Sequence, residues 1–103
     1  MVAEETTDAQ HGPTAAQFRR FIKSRPYVPL HELRRRFEVP GELDDVTPVD
    51  LAGHGRVYVG LPPREAEFIV TLVRDADIGV ELSRDPDVPI VVGVFPMRPV
   101  TRS

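Results

Sequence analysis

Apolar residues recur along this chain with a helical period in some segments and as short β-branched runs in others. Thr14-Ala15-Ala16-Gln17 has capping-box spacing, in which a hydroxyl and an amide satisfy each other's free backbone donors. At about 100° per residue, Ala15, Phe18, Phe21 and Ile22 then share one face, and Arg19, Arg20 and Lys23 share the other. A first helix is predicted, ended by Pro26 at Arg25. Tyr27-Val28 reads as a short extended link. Pro29 suits the first turn of a second helix, where its missing N–H is not needed. Leu30, Leu33 and Phe37 make the apolar stripe of that helix; His31, Glu32 and Arg35 lie opposite, with Arg34 and Arg36 at the flanks. Thr47-Pro48-Val49-Asp50 supplies a cap, a first-turn proline and an acid at the third position, which predicts a short third helix ending at Ala52 or Gly53.

The second half mixes both periods. Arg56 to Leu61, between glycines and a Pro-Pro pair, reads as a strand. After Pro63 the β-branched residues favour a strand, yet the period favours a helix. On a helix, Ala66, Phe68, Ile69, Val70, Leu72, Val73 and Ala76 fill a continuous arc of about 200°. Ile78 to Leu82 and Val88 to Phe95 follow as a hairpin, each preceded by an Arg-Asp-x-Asp turn. The last run lacks polar alternation, so it should be covered on both faces, with Ile90, Val92 and Val94 in the core. Together these elements predict one α+β domain over residues 13–98: two or three N-terminal helices, then strand, helix and β-hairpin in a small, mostly antiparallel sheet. Residues 1–12 read as a disordered acidic tail and 99–103 as a flexible C-terminus.

Composition adds little to this picture; charge adds more. The 11 prolines are spread among periodic segments and act as punctuation. There is no cysteine, which excludes disulfide and thiolate chemistry. The N-terminus has no apolar leader, and the longest apolar run is too short to span a bilayer, so a cytoplasmic protein away from membranes is the expectation. Charge is segregated: residues 19–38 hold seven cations against two anions, while residues 42–87 hold four cations against eleven anions. A dipolar chain of this kind favours oriented binding to a charged partner.

Candidate chemistry is sparse. His11, His31 and His54 have no metal-clamp spacing, and His54 between two glycines suits a turn. Asp44, Asp45 and Asp50 lack the pattern of a calcium loop, and the paired Asp residues of the two similar turns serve turn geometry. No cofactor site, metal site or acid–base pair is predicted, and the chain is not expected to be an enzyme. The one candidate surface is basic: Arg19, Arg20, Lys23 and Arg35 share it if the first two helices pack by their apolar stripes. Arg34, Arg35 and Arg36 cannot all point one way, and Arg34 and Arg36 complete the set of candidate binding residues. The wide apolar arc after Pro63 suggests a homodimer through Phe68, Ile69 and Val70.

The run from Tyr27 to Val39 resembles the first strand and second helix of a winged helix-turn-helix domain, and Leu51 to Val59 is similar to the end of a third helix entering a wing strand. The resemblance covers residues 14–60 and implies DNA binding through that third helix. In this sequence the third-helix region carries Glu42, Asp44, Asp45 and Asp50, with no side chain suited to reading a base edge. Two functions are therefore expected in order: a regulatory module that binds a protein of complementary charge, then a winged-helix DNA-binding protein touching phosphates through helices 1 and 2.

Overall fold

The computed structural model describes residues 13–39, 46–85 and 87–97. The predicted tail, C-terminus and acidic loop at Glu42, Asp44 and Asp45 lie outside these residues. The first helix, α1 (Ala15–Lys23), starts as its cap requires: Gln17 N–H donates to Thr14 Oγ1 at 3.2 Å, and Thr14 N–H donates to Gln17 Oε1 at 2.9 Å. Two extended residues, β1 (Val28–Pro29), lead into α2 (Leu30–Arg36). A hairpin follows, β2 (Thr47–Leu51) and β3 (Gly55–Val59). Then come α3 (Pro63–Arg74), with Pro63 opening its first turn, and the second hairpin, β4 (Ile78–Leu82) and β5 (Ile90–Pro96).

The protein is α+β, with three helices among the described residues and a mixed five-stranded sheet. β5 is the spine of that sheet. β4 runs antiparallel along one edge of it. The other edge is shared by β3, parallel and opposite Ile90 and Val91, and by β1, antiparallel and opposite Gly93 and Val94. β2 closes the far side against β3. One face of the sheet supplies Val49, Leu51, Val57, Val59, Ile78, Val80, Val91 and Val94 to a single core; Phe18, Ile22, Leu30, Leu33, Ala66, Ile69 and Leu72 cover it from the helices.

Two expectations need correction. The segment expected as a third helix is the strand β2. Its residues alternate, Val49 and Leu51 inward and Pro48 and Asp50 outward, and Gly53 and Gly55, at φ +82° and +76°, turn the chain directly back into β3. Proline fits here as well as in a helix. The N–H of Tyr58, opposite Pro48, points away to Pro89 O at 2.9 Å, so this position of the ladder asks for no donor from Pro48. The second correction concerns β5, where Val92 is exposed and Val91 takes its place in the core. The register against β4 shifts between Glu81 and Leu82, so an extra residue bulges from β5 and reverses the alternation beyond it.

The helix after Pro63 forms as its period predicts, with Ile69 fully buried and Phe68 and Val70 partly buried against the core.

Tyr27 ties the front of the sheet to its edge. Its hydroxyl donates to Glu81 Oε1 at 2.6 Å, and this bond, together with partial burial and the carboxylate's charge, raises its pKa above the usual 10.0. The fold thus favours the neutral phenol, and that contribution holds below pH 10.0 and is lost as the pH rises through the raised value. In a Tyr58→Phe variant, the absorbance titration of Tyr27 should have its midpoint above 10.0, and adding Glu81→Gln should lower it. A midpoint indifferent to Glu81 would contradict this assignment.

Candidate functional site

The six predicted basic residues fall into three groups. Arg19 and Lys23 hold the fold together: Arg19 Nε lies 3.1 Å from Asp77 Oδ2, and Lys23 Nζ donates to Asp77 O at 3.2 Å and Met97 O at 3.0 Å. They fasten α1 to the start of β4 and the end of β5. Arg34 is withdrawn from the surface altogether. It is 8% exposed, and its Nη1 donates to Gly60 O at 2.9 Å, joining α2 to the end of β3. It therefore does not belong to the exposed basic surface on which it was expected. Replacing Arg34 with Ala should leave that carbonyl short of a donor beside a cavity and cost about 2–3 kcal/mol of stability. Urea denaturation measures this; a loss below about 0.5 kcal/mol would show the contact to be idle.

Arg20, Arg35 and Arg36 remain exposed. Arg20 and Arg36 border an open cleft of about 420 Å³ between α1 and the end of α2, together with Gln17, Phe21, Ser24 and Phe37. The helices meet here through rings rather than through continuous stripes. Phe18 and Phe37 are 4.9 Å apart, and Phe21 meets Phe37 edge-on at 5.6 Å. Phe18 is fully buried beneath, whereas Phe21 and Phe37 are half-buried and form the apolar wall of the cleft.

Guanidinium groups lie over those walls. Arg36 stands 5.4 Å from the Phe21 centroid and 5.1 Å from that of Phe37, and Arg25 stands 4.5 Å from Phe21. Each contact contributes about 0.5–1 kcal/mol at an exposed site and narrows the rotamers of a long side chain. The cleft therefore presents positioned cations beside accessible aromatic carbon. Such a surface can accept carboxylates through Arg and an apolar side chain through the rings.

Arg25, Phe21 and Phe37 are the site residues that the sequence reading did not place there. The sequence places Phe21 and Phe37 on the apolar stripes of the first two helices, and Arg25 enters it only as charge. One signal was available: Phe21 and Arg25 are four apart on a helical path, the spacing at which side chains stack. The other candidates stay apart. Asp77 is engaged by Arg19, Asp75 lies 3.5 Å from Arg74, and Asp85 accepts from the N–H of Asp87 at 2.9 Å. His54 is exposed in the β2–β3 turn. Among the described residues no helix is long and apolar enough to cross a membrane. No family model, curated protein or solved structure matches the chain.

Proposed function

We propose that this chain is a small, non-catalytic, cytoplasmic binding module that docks an acidic segment of a protein partner in the cleft between α1 and α2. The observation that carries this reading is the layering of Arg36 and Arg25 on Phe21 and Phe37, with Arg20 on the opposite bank. Arg and aromatic residues dominate the energetics of protein interfaces, because they combine large contact area with directed hydrogen bonds. A Glu- or Asp-rich segment bearing one aromatic or leucine side chain would satisfy both halves of the cleft. Fluorescence anisotropy of such a labelled peptide tests this. Saturable binding that is absent for the Lys-substituted peptide supports the reading, and equal binding of both peptides would reject it.

A second reading, a winged-helix DNA-binding protein, gains support from the element order. With the β2–β3 hairpin taken as an insertion, α1, β1, α2, α3 and the β4–β5 hairpin follow one another as in that fold, with β1 against β5. Arg20, Arg35 and Arg36 would then meet phosphates. The helix in third place, α3, exposes Arg64, Glu67 and Arg74 in mixed sign, which ranks this reading second. A gel shift with random duplex at low salt separates the two. Strong, salt-sensitive retention would reverse the order.

A further inference from the structure

Residues 1–12 carry Glu4, Glu5 and Asp8 and no Lys or Arg. The start of α1 fixes where this acidic run joins the described residues. Pro13 is buried, Thr14 is extended at φ −110° and ψ 166°, and the capping bonds tie Thr14 to Gln17 at 2.9 and 3.2 Å. Gln17 lines the α1–α2 cleft. The junction is therefore held by burial and two hydrogen bonds, one helical turn from the edge of that cleft. On the rest of the surface, Arg19, Arg56, Arg64 and Arg74 lie 3.1, 2.9, 3.1 and 3.5 Å from carboxylate oxygens. Among the described residues no carboxylate pairs with Arg20, Arg25 or Arg36, the cations at the cleft.

We propose that the chain's own acidic segment, Glu4 to Asp8, docks in this cleft and competes there with the acidic segment of the partner. The inference rests on the reading of the cleft as an acid-binding site. Charge complementarity singles out the occupant: the three carboxylates of Glu4, Glu5 and Asp8 face the three guanidinium groups of Arg20, Arg25 and Arg36. Val2, two residues before Glu4, supplies an apolar side chain for the wall made by Phe21 and Phe37. The segment thus has the composition that the cleft asks of a partner, acid beside an apolar side chain.

Length permits the contact. Asp8 precedes Thr14 by six residues and Glu4 precedes it by ten, which reach up to about 20 Å and about 33 Å. Along α1, Arg20 lies about 9 Å from Thr14, and Ser24, at the far end of the cleft, about 15 Å. Each acid therefore has chain to spare for the reversal at the start of α1. A segment on so short a tether meets its site at an effective concentration in the millimolar range. Contacts between exposed charges are weak, yet at that concentration a dissociation constant of about 1 mM fills the cleft for most of the time. Partner affinity then falls about 3–10-fold, and salt relieves the competition because charge carries it.

The test compares the full chain with a triple variant of the same length, Glu4→Gln with Glu5→Gln and Asp8→Asn. Without any ligand and at low salt, the amide signals of Arg20, Phe21, Ser24 and Arg36 should differ between the two ¹⁵N-labelled chains. These residues lie at least 12 positions from the nearest substitution, so the difference reports contact across space, and it should fade at high salt. The labelled acidic peptide should bind the triple variant about 3–10-fold more tightly than the parent. Identical cleft signals in the two chains, or a peptide bound equally tightly by both, would overturn the proposal; equal binding leaves the partner reading standing. Cleft signals that respond to the substitutions while neither chain binds the peptide would support the proposal and reject the external partner.

Discussion

Replacing Phe18 with Ala should remove about 3–5 kcal/mol of stability, the largest effect expected of any single substitution in this chain. Phe18 is fully buried and sits between two rings, 4.9 Å from Phe37 and 5.3 Å from Phe68, the latter edge-on. Through it α1 reaches both the end of α2 and the core-facing Phe68 of α3, so its loss opens a cavity where three elements meet. No single neighbour can close that space, because Phe37 and Phe68 are each held from elsewhere; Arg36 lies over Phe37 and Arg64, at 5.0 Å, over Phe68. Against a total stability of about 5–15 kcal/mol for a domain of this kind, such a loss populates the unfolded state. Urea denaturation of Phe18→Ala beside Phe18→Leu measures it. A cost for Ala below about 1.5 kcal/mol would mean that the aromatic cluster is not the junction described.

The second large effect concerns binding. Reversing both banks of the cleft, Arg20→Glu with Arg36→Glu, should weaken the acidic peptide at least 100-fold, since two attractive contacts become repulsive ones. The same double variant should fold nearly normally. Arg20 and Arg36 are exposed, and the principal structural loss is the stacking of Arg36 on two rings, about 1–2 kcal/mol. Arg34→Ala should do the reverse, lowering stability and leaving peptide affinity alone. Isothermal titration calorimetry and urea denaturation on the two variants give the crossed result; affinity and stability falling together in both would remove the distinction between Arg34 and its neighbours.

Much of the fold was legible where a local signal has one meaning. The Thr14–Gln17 box admits no reading but a helix start, and both of its bonds form. The arc after Pro63 outweighed its β-branched content because only a helix gives it one apolar side. Signals with two meanings misled. Thr47-Pro48-Val49-Asp50 serves equally as a helix start and as an edge strand, and the choice belongs to β3, which pairs with it residue for residue. The bulge in β5 has no local mark, since Ile90 to Val92 is uniformly apolar and its phase depends on the register with β4.

The site was half legible for a similar reason. Charge density marked the surface, but the period separates only Arg35, opposite the apolar stripe, and leaves the flanking Arg34 and Arg36 alike. Arg34 is singled out by the carbonyl of Gly60, 26 residues away, and no pattern near Arg34 reveals that partner. Lys23 and Arg19 are likewise claimed by Asp77. What survives as a binding surface is the set that, among the described residues, no carboxylate engages and that the fold places against half-buried rings.

The most direct test of that assignment is to map where an acidic ligand lands. Titrating the ¹⁵N-labelled chain with a Glu- and Asp-rich peptide carrying one phenylalanine should shift the amide signals of Gln17, Arg20, Phe21, Ser24, Arg36 and Phe37, and leave those of β2 and β3 in place. Shifts centred on the sheet or on the β4–β5 hairpin, or none at saturating peptide, would contradict the account.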